Sequence, residues 1–265
     1  MRCVSESRRG WRVASAADVG ATEEEGRPEV EALRLRQLFE RKLHGLAAES
    51  RAAFALTAEE PVLSALCFDP LPAVAAQLLS NPRFGLQQAR LLAAHHPHPS
   101  ALQALGAREA FLRDAEVQRL LLRNVQLPPG LLQRLLLPRR LVELFRLSLS
   151  RDMPEKNQRA TREVLRQRFS TTASAEEKVE LLFLSEGRVL AQLAGLPLDQ
   201  KTAALLCGRT VTSLLLVQNL ARWAATPPTV LQHLLKQSVV KHQPQLRALL
   251  LQHPNSPRGG RPPEG

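Results

Sequence analysis

Residues 89–105 read ARLLAAHHPHPSALQAL, and the pattern superposes without gaps on RLLLRNVQLPPGLLQRL, residues 119–135, when Pro99 is placed on Pro129. In both stretches a polar corner containing proline separates two apolar runs of helical spacing. Proline at the first turn of a helix loses no hydrogen bond and has its φ angle preset, so Pro99 and Pro129 are predicted to open helices. Each stretch therefore predicts two helices joined by a short corner.

The same corner occurs elsewhere in the chain. NLARWAATPPTVLQHL, residues 219–234, and RALLLQHPNSP, residues 247–257, share it when Pro227 is placed on Pro257, and QLLSNPRFGLQQA, residues 77–89, is a weaker copy. One helical hairpin cannot bury its own leucine face, so such units must stack on one another. The repeat predicts an all-α fold, an α-solenoid of roughly five to seven stacked helical hairpins.

The amino-acid composition is consistent with a helical fold and argues against several kinds of functional site. Aromatic residues make up 4% of the 265 residues, Tyr is absent, and no apolar run approaches the roughly 20 residues of a membrane span. The three cysteines, Cys3, Cys67 and Cys207, are widely scattered, which fits neither a disulfide framework nor a cysteine-ligated metal site. A reducing, cytoplasmic location follows, with Cys67 and Cys207 predicted to be buried small apolar residues rather than nucleophiles.

The chain is predicted to contain one helical-repeat domain, residues 28–254, between polar disordered tails at residues 1–27 and 255–265. Two capping boxes predict helix starts inside the domain, at Thr57 with Glu60 and at Ser174 with Glu177. At this spacing the hydroxyl and the carboxylate each bond a backbone N–H at the start of the helix.

At the corners LLSNPRFG, LLRNVQLPP, ARWAATPP and LLQHPNSP, the chain resembles the bacterial HEAT-like and leucine-rich-repeat-variant families of α-helical repeat proteins. The resemblance covers about half of the chain, in two blocks, and implies a HEAT-like solenoid. Leucine-rich-repeat-variant proteins carry a cysteine-ligated iron–sulfur module, for which this chain has no cysteine cluster. The resemblance to this family therefore does not imply a redox role for this chain, and no cofactor is predicted.

The corner HHPHP contains His95, His96 and His98, which raises the question of a metal site. No Cys or acidic residue lies in the adjoining helix turns, and the equivalent corner at residues 123–129 has no His. Metal sites need three or four converging ligands. A structural corner is the preferred interpretation, and the histidines are predicted to be replaceable at little cost in stability.

The net charge of +11 is concentrated at residues 107–169, which hold 14 Arg and Lys against 7 Asp and Glu. Helical spacing places Arg159, Arg162 and Arg166 on one face, and Arg139 and Arg140 precede the neighbouring helix. If these five side chains line one groove, they could bind phosphates or an acidic partner. The alternative is a solvated face that nearby glutamates partly neutralise.

Motifs for catalysis are missing from the sequence: there is no G-x-S-x-G elbow, P-loop or G-x-G-x-x-G. We therefore expect a non-catalytic scaffold or adaptor that binds a protein partner. A nucleic-acid-binding helical repeat that uses the arginine face is the alternative. A DNA-repair enzyme resembling HEAT-like glycosylases, suggested by Trp223 beside Arg222, ranks third, because a packed Trp223 is the simpler interpretation.

Overall fold

The computed structural model describes residues 29–256, and this part of the chain consists of helices and turns without a β-strand. The all-α prediction is confirmed. No helix in the described range is both long and apolar enough to cross a bilayer. The chain divides into two compact units, Met1–Leu121 and Leu122–Gly265. The predicted N-terminal tail and residues 257–265 lie outside the described residues.

In the first unit, helices that are two apart in the chain pack on one another. Helix α2 packs on α4 and α4 on α6, while α3 contacts α5. The helices are α1 (residues 29–38, continuing into the π-helical turn Phe39–Leu43), α2 (Ala48–Thr57), α3 (Val62–Leu66), α4 (Pro72–Ser80), α5 (Leu86–His95), α6 (Pro99–Gly106) and α7 (Glu109–Leu112). Helix α8 (Ala115–Arg123) crosses the boundary between the units.

The second unit repeats this spacing in part: α10 packs on α12, α13 on α15, and α15 on α17. The long helix α11 lies against α9 and α10. The helices are α9 (Pro129–Leu136), α10 (Leu141–Ser148), α11 (Glu155–Thr171), α12 (Ala175–Leu184), α13 (Gln200–Cys207), α14 (Leu214–Arg222), α15 (Pro228–Lys236), α16 (Ser238–Lys241) and α17 (Pro244–Leu251), with a 3₁₀ turn at Arg188–Ala191.

Proline sets where many of these helices begin. Pro99 opens α6 and Pro129 opens α9, as the corner pattern predicts. Pro72, Pro228 and Pro244 occupy the same position in α4, α15 and α17. The first N–H of a helix has no intrahelical acceptor, so proline costs nothing at this position.

The two predicted capping boxes have different outcomes. Ser174 caps the start of α12, where its hydroxyl accepts a hydrogen bond from the backbone N–H of Glu177 at 3.2 Å, so this predicted helix start is confirmed. The carboxylate of Glu177 accepts from the backbone N–H of Leu141. The prediction at Thr57 is wrong, because Thr57 is the last residue of α2. The carboxylate of Glu60 is used elsewhere, accepting hydrogen bonds from the side chains of Ser64 and Gln88.

Leucine forms the core of both units, as the apolar spacing indicates. Leu92 and Leu102 are fully buried. Cys67 is also fully buried, and burial, followed by the negative charge of Glu60, raises the pKa of its thiol. That prediction is confirmed. Cys207 is only half-buried, although burial raises the pKa of its thiol as well.

A buried ion pair joins α2 to the turn after α3. Nε of Arg51 donates to Oδ2 of Asp69 at 2.6 Å, and the Asp69 side chain is fully buried. The same guanidinium donates to the carbonyls of His44 and Leu46, and Oδ1 of Asp69 accepts from the backbone N–H of Leu71 at 2.9 Å. One pair of charges therefore fixes both the loop before α2 and the turn after α3.

Candidate functional sites

The same type of hydrogen bond occurs at four corners of the chain. Soon after a helix ends, a buried Asn or His accepts a hydrogen bond from the backbone N–H two residues further on, which closes the turn. The corner residues, with their acceptor-to-nitrogen distances, are Asn81 (2.8 Å), His96 (3.0 Å), Asn124 (2.8 Å) and His253 (3.1 Å).

Corner side chains also reach back to helices that ended earlier in the chain. Nδ2 of Asn81 donates to the carbonyls of Ala55 and Ala58 at 2.9 and 3.0 Å, at the end of α2. Asn255 donates in the same way to Ala224 and Thr226, just after α14. The last carbonyls of a helix lack intrahelical donors, and Asn81 supplies a donor to this end of α2. Asn255 satisfies two carbonyls of the turn that follows α14.

His253 adds a third link to the end of α14. Its Nδ1 accepts from the backbone N–H of Asn255, and its Nε2 donates to the carbonyl of Trp223 at 3.0 Å. A neutral imidazole accepts on one nitrogen and donates on the other. The separation of His253 from Trp223 along the chain equals that of Pro257 from Pro227, the shift found in the sequence.

The three histidines of the HHPHP corner have separate structural roles. His95 stacks on Phe68 with ring centroids 5.0 Å apart, and His98 caps α6 by accepting from the backbone N–H of Ser100. Within residues 29–256, no three His, Cys, Asp or Glu side chains are grouped so that they could hold a metal ion. His96 is buried and accepts a hydrogen bond from the backbone N–H of His98, which argues against the expectation that all three histidines are replaceable at little cost.

We expect His96→Ala to destabilise the first unit by about 1–3 kcal/mol, since the N–H of His98 would lose its acceptor in a partly buried corner. His96→Asn should cost less, because the Asn81 side chain makes the same bond in the same kind of corner. Urea denaturation of both variants measures the difference. Equal losses would show that the ring fills space and that its hydrogen bond does not matter.

The corner also predicts a dependence of stability on pH. Burial lowers the pKa of His96 below its ordinary value of 6.5. As the pH falls, the unfolded chain therefore binds a proton before the folded chain does, and the free energy of unfolding decreases below about pH 6.5. His96→Asn should reduce this decrease in denaturation curves between pH 7 and pH 5. An unchanged slope would contradict the assignment to His96.

The structure brings two of the five predicted arginines to one cleft. Arg139 and Arg140 line a cleft of about 360 Å³ whose other charged residues are Arg168, Glu176, Glu177 and Glu180. Arg140 forms an ion pair with Glu180, and Nε of Arg139 donates to the carbonyl of Leu135. The cleft therefore presents mixed charge and not a uniform cationic surface.

Arg159, Arg162 and Arg166 lie on α11 and are not among the residues that line this cleft. Arg159 pairs with Glu155 at 2.7 Å, and Arg166 donates to the carbonyls of Gln192 and Ala194 at 2.6 and 3.1 Å. Arg162 is half-buried. The guanidinium groups of Arg159 and Arg166 are thus already bonded to other groups of the same unit.

Arg168 is a site residue that the sequence reasoning missed. Its guanidinium donates to the carbonyls of Leu137 and Arg139 and lies 3.5 Å from the carboxylate of Glu177. Glu177 also accepts from the backbone N–H of Leu141 at 2.7 Å. The helical spacing of Arg159, Arg162 and Arg166 excludes Arg168, so the pattern gave no signal for it.

Lys178 and Asp199 form a further ion pair in the second unit, with Nζ and Oδ2 2.7 Å apart. Partial burial acts to raise the pKa of Asp199, but hydrogen bonds from Lys178 and Thr202 outweigh this effect and hold the pKa at about 2. Asp199 also caps α13 by accepting from the backbone N–H of Thr202 at 2.9 Å. Lys178 itself is buried.

The low pKa of Asp199 predicts acid sensitivity. Because the folded pKa lies below the unfolded one, the contribution to stability is present above about pH 4 and is lost as the pH falls toward 2. Asp199→Asn keeps the cap but removes the titrating group, so its free energy of unfolding should change less over this range. Denaturation at pH 5, 4 and 3 checks this. A variant that loses as much stability with acid as the wild type would contradict it.

A second cleft, of about 730 Å³, lies between the segment 187–197 and the end of α14. Its walls are mainly apolar and include Leu190, Ala191, Ala194, Pro197, Trp223 and Ala225. Trp223 is only 6% exposed, so the prediction of a packed Trp is confirmed. Its Nε1 is buried and has no hydrogen-bond acceptor within the described residues.

Gly187 determines how closely the two sides of this cleft approach. Its φ angle is +74°, and a Cβ at this position would lie 2.8 Å from the Cβ of Asn219 on α14. The Asn219 amide donates to the carbonyl of Glu186 at 2.8 Å. Only glycine combines this φ angle with so close a neighbour. The sequence did not indicate the cleft, because its lining comes from segments that are distant from one another in the chain.

Two arginines border the second cleft. Arg188 pairs with Glu186 at 3.1 Å, whereas Arg222 is exposed and makes no ion pair or hydrogen bond with any residue of the described range.

Comparisons with known proteins do not add a function to this geometry. No protein-family model matches the chain, and no curated protein or solved structure matches it significantly.

Proposed function

We propose that the protein is a non-catalytic helical-repeat scaffold that binds a protein partner. The observation that carries this proposal is the open cleft of the second unit, where apolar side chains surround a volume of about 730 Å³. An apolar concavity bordered by polar and charged groups is typical of a binding site. Helical repeats generally act by presenting such surfaces, which is an argument by analogy of fold.

The HEAT-like solenoid is part of this proposal. Two observations support it: helices two apart in the chain are packed together within each unit, and corner side chains reach back to carbonyls at earlier helix ends. Both are expected of hairpins stacked on their neighbours. A single domain over residues 28–254, a cytoplasmic location and the lack of a cofactor stay predictions.

Nucleic-acid binding through Arg139, Arg140, Arg159, Arg162 and Arg166 is the second candidate. The basic excess of residues 107–169 favours it. Against it, Arg140 and Arg159 pair with carboxylates and Arg166 with backbone carbonyls. A guanidinium that already bonds a carboxylate or backbone carbonyls has fewer free N–H donors and less uncompensated charge to offer a phosphate. No observation favours a DNA-repair enzyme.

The proposal is tested by purifying the tagged full-length protein from its native cells after nuclease treatment. Ala191→Glu places a charge in the cleft, and Ala204→Glu, on the exposed surface of α13 outside the cleft, is the matched control. We expect a specific protein to be retained by the wild type and by Ala204→Glu and to be lost with Ala191→Glu. Retention by all three proteins would exclude the cleft as the binding site.

The nucleic-acid alternative has its own measurement. Binding of labelled DNA and RNA is followed by fluorescence anisotropy at increasing salt, for the wild type and for a variant carrying Arg162→Ala and Arg166→Ala. On the scaffold proposal we expect weak binding that the double substitution hardly changes. Tight binding that weakens steeply with salt and is lost in the variant would favour the nucleic-acid function.

A further inference from the structure

We propose that the cleft between residues 187–197 and the end of α14 binds an acidic, apolar peptide segment of the partner. A carboxylate of the segment pairs with Arg222, and an apolar side chain beside it packs against the exposed Ala194 and Pro197. This inference rests on the proposed scaffold function and specifies the chemistry of its partner.

Charge at the cleft favours an acidic ligand. Among the residues that line it, all within the described range, the charged ones are Arg188 and Arg222, and none is acidic. Glu186 already neutralises Arg188, so Arg222 is the cation available for pairing. Arginine binds carboxylates through two parallel N–H donors, which fixes direction as well as charge.

The apolar lining favours a peptide that also carries aliphatic or aromatic side chains. Leu190, Ala191 and Ala194 come from one side of the cleft, and Trp223 and Ala225 from the other. Its volume of about 730 Å³ lies within the roughly 300–1,000 Å³ of ligand-binding clefts. A ligand with charge alone would leave this surface uncovered.

The same features argue against a nucleic acid in this cleft. Single-stranded nucleic acids bind by stacking bases on exposed aromatic faces, but Trp223 is 6% exposed and offers no such face. Affinity for a phosphate backbone requires several cations, and among the described residues that line this cleft Arg222 alone is an unpaired cation.

Trp223 makes the proposal measurable. The chain contains two tryptophans, Trp11 and Trp223, so Trp11→Phe leaves one fluorescent indole, at the cleft. The probe is a short acetylated peptide in which leucines alternate with glutamates. A peptide with lysine in place of every glutamate and a labelled single-stranded oligonucleotide serve as competitors.

We expect the leucine–glutamate peptide to change the fluorescence of Trp223 in the full-length protein. Arg222→Glu should weaken its binding about tenfold, which corresponds to about 1.4 kcal/mol. Arg247→Glu makes the same charge change at an exposed arginine of α17 outside the cleft and should leave the affinity within about twofold. Ala191→Glu should abolish binding.

Each of three binding results would overturn the proposal: no binding of the leucine–glutamate peptide up to its solubility limit, equal binding of the lysine peptide, or displacement by the oligonucleotide. Equal weakening by Arg222→Glu and Arg247→Glu would also overturn it, since general charge would then explain the effect. The proposed scaffold function would still hold after these results if a cellular protein bound the wild type and failed to bind the Ala191→Glu variant.

Discussion

Asp69→Ala is expected to destabilise the first unit by about 3–5 kcal/mol. The substitution leaves the guanidinium of Arg51 buried without its counterion, and an uncompensated buried charge is far more costly than the loss of an exposed ion pair. The backbone N–H of Leu71 also loses its acceptor. Urea denaturation followed by circular dichroism measures the change in the free energy of unfolding.

The exposed pair between Arg83 and Glu59 in the same unit is the matched control. Its atoms are 2.8 Å apart, but more than half of each side chain is exposed. Glu59→Ala should therefore cost less than about 1 kcal/mol. A double variant with Arg51→Met and Asp69→Leu should recover part of the loss. Equal costs for Asp69→Ala and Glu59→Ala would show that burial does not strengthen the Arg51 pair.

Leu102→Ala is expected to cost about 2–5 kcal/mol, from lost apolar burial and from the cavity left behind. Leu102 is fully buried on α6, a helix that packs on α4 and α5. Leu86→Ala, on α5, is the control, because Leu86 is 44% exposed. Its cost should stay within about 0.5 kcal/mol, as is typical of surface positions. A small effect at Leu102 would mean that the neighbouring helices close the cavity.

Local rules explain what the sequence predicted correctly. Proline at the first turn acts within a few residues, so the starts of α6 and α9 could be placed from Pro99 and Pro129. Alignment of prolines did not identify the corner residues. When Pro99 is placed on Pro129, the acceptors His96 and Asn124 do not coincide, because the second corner is longer.

Features that join distant segments could not be predicted. Glu60 lies at the right spacing from Thr57 for a capping box, but Gln88 on α5 provides the competing donor. Arg159, Arg162 and Arg166 were grouped by helical spacing alone, which says nothing about the carbonyls of Gln192 and Ala194 that bind Arg166. The cleft at Trp223 arises in the same way, from two segments that meet only in the fold.

The corner amides have a consequence for how such a chain can grow. The carbonyls of Ala55 and Ala58 are satisfied by Asn81, and those of Trp223, Ala224 and Thr226 by His253 and Asn255. Each of these helix ends is thus completed by a residue from a later hairpin. Tandem duplication of a hairpin together with its corner supplies this residue automatically. Removal of the last corner would leave the end of α14 open to water and to fraying.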